Sequence, residues 1–214
     1  MTVSGKANST KHRPRKGSPI ITDIDKTLLK GDTGREWLTE AGKVKPEQWS
    51  QFVENYDYEG LGHGNQLLNY LSQNQDQLEN LEEYISNVDI SARQGIGQIL
   101  DYRDEQDILN VGSSAGYQEV IESATNGNLH EIIAGKLNQN GKPIFNGEQQ
   151  KKDRVDSLRA RIGHQGQYYA LADSNGDRTL IEGAHKSGGA GIGIGSSIEE
   201  AKERIDEATY YVGD

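Results

Sequence analysis

Apolar positions follow two different periods along this chain. Between residues 35 and 106 they recur at helical spacing, in four groups. These are Trp37 and Leu38; Trp49, Phe52 and Val53; Leu67, Leu68 and Leu71; and Leu78, Leu81, Tyr84 and Ile85. Residues 57–65, with Gly60, Gly62 and Gly64, break the run. Elsewhere short apolar runs alternate with helical stretches. Strands are predicted at 19–22, 107–112, 168–172 and 190–194, with helices over about 117–124, 150–162, 178–186 and 197–208. Residues 132–146 read as a hairpin turning at 138–141, and no internal repeat is present. Strands that alternate with helices require a parallel, doubly wound α/β sheet, here with a helical segment inserted after the first strand.

That architecture says where chemistry should sit, because ligands of open parallel sheets bind beyond the carboxyl ends of the strands. Three predicted strands end in polar, chemically capable residues: Asp23 and Asp25, Ser113 and Ser114, and Asp173 and Asp177. Two acids brought together in a cavity are costly unless a cation neutralises them. Magnesium suits such a place, since it takes oxygen ligands and keeps water and phosphate oxygens around it. The stretch Asp173-Ser-Asn-Gly-Asp177 starts like a calcium loop, but Arg178 stands where glycine is required and Ala184 where glutamate is. A metal-binding turn remains. A hydroxyl at Ser113 or Ser114 followed by a helix offers a place for a phosphate oxygen, although serine is also a common helix cap. Lys151, Lys152 and Arg154 form a basic group near the start of the 150–162 helix.

Composition narrows the setting. Hydrophobic residues make up 33% of the 214 positions, so the core must be compact and the surface polar. No apolar run is long enough to span a bilayer, and the basic amino end lacks the apolar stretch of a secretory signal. The absence of cysteine excludes disulfides, thiolate metal sites and cysteine nucleophiles. The cytoplasm is the default location. Residues 1–18 hold five Lys/Arg and no acid, leaving 18 basic against 33 acidic groups in the rest, a net of -15. So acidic a surface repels nucleic acid and anionic lipid. No nucleic-acid or membrane partner is expected, and the sequence carries no signal for an oligomeric state.

In this order the four groups resemble the haloacid dehalogenase superfamily of phosphohydrolases, whose pattern is DxDx[TV], a Ser/Thr at a strand end, a lysine, and an acidic pair. Here it reads Asp23-Ile-Asp25-Lys-Thr27, then Ser113/Ser114, Lys151/Lys152 and Asp173-Ser-Asn-Gly-Asp177. The likeness spans roughly residues 18–212. It implies a Rossmann-like core (18–32 and 105–214) and an α-helical C1 cap (33–104), while the short, polar, basic stretch before them (1–17) reads as a disordered tail. It also implies a phosphatase for a small phosphorylated metabolite. In that scheme Asp23 is the nucleophile, Asp25 the acid and base, and a serine and a lysine hold the phosphoryl oxygens. Mg²⁺ would lie among Asp23, the Asp25 carbonyl and Asp173, with Asp177 nearby.

Alignment with the Ser-Gly-Gly-Phe of phosphoserine phosphatases favours Ser114 over Ser113. Helical phase favours Lys151 over Lys152, because Val155 and Leu158 follow it by four and seven residues. Arg154 stands further off. Phosphoserine itself fits poorly as the substrate: the cap arginine that would bind its carboxylate falls near Leu71, and residues 46–92 hold nine acids and no Lys or Arg. A glycine-rich stretch at 188–195 alternates within a strand and is not a dinucleotide loop. A phosphotransferase of the same superfamily, or an idle binding protein on that fold, are the competing functions.

Overall fold

The computed structural model describes residues 2–5, 17–40, 43–55, 63–80, 83, 93, 107–125, 127–205 and 207–213. Eight strands form one sheet: β1 (Thr2–Gly5), β2 (Ile20–Thr22), β3 (Asn110–Tyr117), β4 (Glu131–Leu137), β5 (Pro143–Ile144), β6 (Tyr169–Ala172), β7 (Ala190–Gly195) and β8 (Tyr210–Gly213). Their order is β1-β8-β7-β6-β2-β3-β4-β5. The six central strands run parallel, while β1 and β5 are antiparallel to their neighbours at the two margins. Seven helices accompany them among the described residues: α1 (Thr33–Glu40), α2 (Trp49–Asn55), α3 (His63–Gln73), α4 (Gln118–Thr125), α5 (Glu148–Arg161), α6 (Arg178–Lys186) and α7 (Ile198–Arg204).

Strand β2 lies between β3 and β6, flanked on both sides, so its residues Ile20, Ile21 and Thr22 are all buried. A short, unbroken apolar run is what such a central strand needs. One core cluster joins Ile21, Val111, Ala170 and Ala172 of the sheet to Val155 and Leu158 of α5 and Leu180, Ile181 and Ala184 of α6. Another packs the inserted helices onto the sheet: Trp37, Leu38, Phe52, Val53, Leu67, Leu68 and Leu71 meet Tyr117 and Val120. Leu71, the position near which a cap arginine was expected, is fully buried in that cluster. Helix α3 lies so close to β4 that a Cβ on Gly135 would stand 2.2 Å from Leu68 Cδ1.

The structure departs from the sequence reading at several edges. Residues 2–5, counted with a disordered tail, pair as β1 with β8, and neither strand was expected. Residues 6–16 lie outside the described residues. Strand β3 begins at Asn110 and runs on to Tyr117, so both serines sit inside extended backbone and not at a helix start. Its register against β4 shifts between Ser113 and Tyr117. Leu78 belongs to a tight helical turn over Gln75–Asn80, whereas Leu81, Tyr84 and Ile85 lie outside the described residues. So does most of the glycine-rich break. The hairpin is as expected: β4 pairs with β5, and Asn138 Oδ1 accepts from the amides of Asn140 and Lys142 at 2.9 and 3.1 Å. No helix among the described residues is long and apolar enough to cross a membrane.

Candidate active site

Asp23 directly follows β2, where the chain leaves the sheet in a tight turn over Ile24–Leu28. The turn needs a left-handed residue at Lys26 (φ 61°), a conformation that side chains other than glycine adopt uncommonly. Arg93 holds it in place. Its guanidinium donates to the Lys26 carbonyl, and its amide donates to Leu28 O at 2.9 Å. Sequence reasoning missed Arg93, because a contact across 67 positions leaves no local pattern.

The register of the parallel strands brings the polar ends together. Thr22 lies beside Leu171 of β6, and the Asp23 amide donates to Leu171 O at 2.9 Å. The end of β6 therefore carries Asp173 next to Asp23, and the turn over Asn175–Asp177 adds Asp177. One oxygen from each of Asp23, Asp173 and Asp177 can be chosen so that all three lie within 4.8 Å of one another, and all three residues are buried. From α5, Lys151 reaches both Asp23 Oδ1 (2.9 Å) and Asp177 Oδ1 (2.6 Å). Thr27 Oγ1 donates to the second Asp23 oxygen at 3.0 Å.

These carboxylates repel each other in a poorly solvated place. Burial, then the charge of Asp23, lifts Asp177 to about 7. The same two causes lift Asp173 to about 6, against the attraction of Lys26 and Arg204. Asp25 goes highest, to about 8, through burial, Asp32 and Asp23, although Thr33 N donates to its Oδ1 at 2.7 Å. Burial by itself would discharge Lys151, but Asp177 and Asp23 outweigh it and hold the ammonium above its ordinary range. The cluster thus carries more negative charge than Lys151 offsets. Its donors are all carboxylate oxygens, the set a hard divalent cation prefers. The residues fit magnesium.

A cavity of about 890 Å³ opens over this cluster and takes in Asp25, Ser114 and Lys151. Ser114 lies at the bulge of β3, where its Oγ accepts from Gly116 N at 2.9 Å. Asn146 holds it from behind, donating to Ser114 O at 2.8 Å and to Ile133 O at 2.9 Å. Ser113 does not line the cavity; its Oγ is buried on the other face without a hydrogen-bond partner. Lys152 is also turned away, toward Asp156 on the surface at 2.9 Å. Arg154 donates to Ala134 O and Phe145 O, away from the acids. The inserted helices contribute Trp49 and Leu67 to the cavity lining, and the basic lining residues Lys26, Lys151 and Arg204 all come from the sheet domain.

Comparison with solved structures identifies the fold. A HAD family hydrolase from Salmonella enterica serovar Typhi superposes with a TM-score of 0.68 at 15% identity, over 93% of this chain and 68% of that one. A phosphoserine phosphatase in its apo form gives a TM-score of 0.65 at 18% identity, over 89% and 92% of the two chains. The fold is that of the haloacid dehalogenase superfamily. A phosphoserine phosphohydrolase-like protein from Francisella tularensis shows the same haloacid dehalogenase fold, with a TM-score of 0.63 at 18% identity over 91% and 94% of the chains. By sequence alone no family model and no curated protein matches.

Proposed function

We propose that this chain is a cytoplasmic, magnesium-dependent phosphomonoester hydrolase that works through an aspartyl-phosphate on Asp23. One observation carries the reading: Asp23, Asp173 and Asp177 converge within 4.8 Å while Lys151 bridges two of them. The haloacid dehalogenase fold, shared with solved hydrolases, supports it.

In the proposed reaction an Asp23 oxygen attacks phosphorus and the ester oxygen leaves, taking a proton from Asp25. Asp25 suits this role because its raised pKa keeps the proton available at neutral pH. Asp25, now ionised, then takes a proton from water as the water oxygen attacks the phosphorylated Asp23. Inorganic phosphate departs and both aspartates return to their starting states. Lys151 and Ser114 border the place where the equatorial oxygens would lie, and fixed donors of this kind act by stabilising charge there. Magnesium, held by Asp23 and Asp173 with Asp177 beside them, would shield the two anions from each other.

The substrate is proposed to be a small phosphorylated metabolite with a neutral or cationic leaving group. The inserted helices offer Trp49 and Leu67 to the cavity, and the described part of them supplies no cation there for a carboxylate. A panel of phosphoserine, sugar phosphates, nucleotides and phosphocholine tests this choice, and phosphoserine as the best substrate would refute it.

Hydrolysis of p-nitrophenyl phosphate, measured with Mg²⁺ and with chelator, tests the chemistry. Turnover should require the metal, and Asp23→Asn should remove it. Undiminished turnover by Asp23→Asn would eliminate the nucleophile assignment.

A further inference from the structure

Lys151 is fully engaged by Asp23 and Asp177, so Asp173 must find its counter-charge elsewhere. It finds it at longer range in Lys26 and by direct contact in Arg204, the last residue of α7, whose Nη1 lies 3.3 Å from Asp173 Oδ2. The contact is single and long for a charged pair. Asp173 is buried, whereas the Arg204 side chain keeps 44% of its surface exposed and lines the cavity. Its other nitrogen, Nη2, is anchored one turn back on Glu200 Oε1 at 2.7 Å. Glu200 is itself fixed, accepting from Ser196 N at 2.7 Å through its second oxygen. The guanidinium thus has a strong hold on an exposed carboxylate and a weak one on a buried carboxylate of the metal cluster.

We propose that Arg204 is a cationic latch on the metal site, occupying Asp173 until a divalent ion displaces it toward Glu200. This rests on the magnesium reading given above. Charge sets the sign. An arginine held against Asp173 repels a divalent ion entering the same carboxylates, and that repulsion is strong at short range in a poorly solvated place. Arg204 has somewhere to go at little cost, because the Glu200 bond is already made and the side chain is half in water. Arg204 is therefore a positioning residue for Asp173 and sets how much Mg²⁺ the protein needs.

Calorimetric titration of Mg²⁺ into the metal-free full-length chain tests the latch without an assay of turnover. Arg204→Gln should tighten the Mg²⁺ Kd about threefold to tenfold, an effect of the size expected for one partly screened charge. Glu200→Gln removes the alternative anchor and should weaken binding. The neighbouring Lys202→Gln makes the same charge change on the exposed face of α7 and should shift the Kd by less than about twofold, since solvent screens it. In chelator, Arg204→Gln should also lower the melting temperature, because Asp173 loses the one of its two cations that touches it, and Mg²⁺ should restore it. A wild-type chain that binds no Mg²⁺ overturns the metal reading and the latch together. A wild-type chain that binds it, with Arg204→Gln equal or weaker or Lys202→Gln equally tightened, overturns the latch alone.

Discussion

Lys151 Nζ stands 2.9 Å from Asp23 Oδ1, although 128 positions separate the two residues. The same nitrogen lies 2.6 Å from Asp177, so one ammonium ties the end of β2 to the turn after β6. Its removal should therefore register twice. Lys151→Met should reduce kcat/KM by about two to three orders of magnitude, the loss typical of a fixed charge-stabilising donor. It should also destabilise the fold by about 3–5 kcal/mol, because two buried carboxylates lose their partner. Lys152→Met, which breaks a surface pair, should change stability by less than about 1 kcal/mol and leave turnover intact. Steady-state kinetics and denaturant unfolding of the two variants give both readouts, and equal effects would contradict the assignment.

The two serines should separate as cleanly. Ser114 borders the cavity and Ser113 faces the other way, buried, with its hydroxyl unpartnered. Ser114→Ala should lower kcat/KM about tenfold or more, while Ser113→Ala should leave catalysis unchanged. Loss of an unsatisfied buried hydroxyl is close to neutral or stabilising. A drop in activity confined to Ser113→Ala would reverse the choice.

Stability of the metal-free protein should fall as pH rises. Asp173, Asp177 and Asp25 have folded pKa values of about 6, 7 and 8, all above the unfolded value of 3.8. A group raised in this way holds its proton more tightly when folded. Its contribution is complete below pH 3.8 and is lost as pH climbs through the folded value. Melting temperature in chelator should accordingly decline across pH 4–8, and Asp25→Asn should flatten the upper part of that slope. A melting temperature that rises over this window would refute the burial argument. Added Mg²⁺ should oppose the decline by binding the ionised acids of the folded state.

Much of this site was legible because its main residues sit on local patterns. The pair Asp23 and Asp25 follows an apolar run, and Asp173 and Asp177 follow another. Lys151 could be chosen over Lys152 because it shares a helical face with Val155 and Leu158, and all three are buried on α5. The serines were located but their setting was misread: an apolar run ending at Gly112 with a helix close behind places them at a strand end, whereas pairing with β4 keeps the chain extended to Tyr117. Arg93, Asn146 and Arg204 carried no signal at all. Each acts through contacts with residues distant in the chain, among them Lys26, Ser114 and Asp173 respectively, and a lone polar residue in a helix or loop looks the same with or without them. Strands β1 and β8 were missed for a related reason. They stabilise each other, and neither has enough apolar alternation to declare itself.

That marginal pairing bears on handling of the protein. Residues 2–5 cover the outer hydrogen-bonding groups of β8, so trimming or blocking the amino end would leave those groups bare. An uncovered strand of this kind is a template for another chain, and self-association in such a preparation would reflect the missing selvedge and not a natural oligomer.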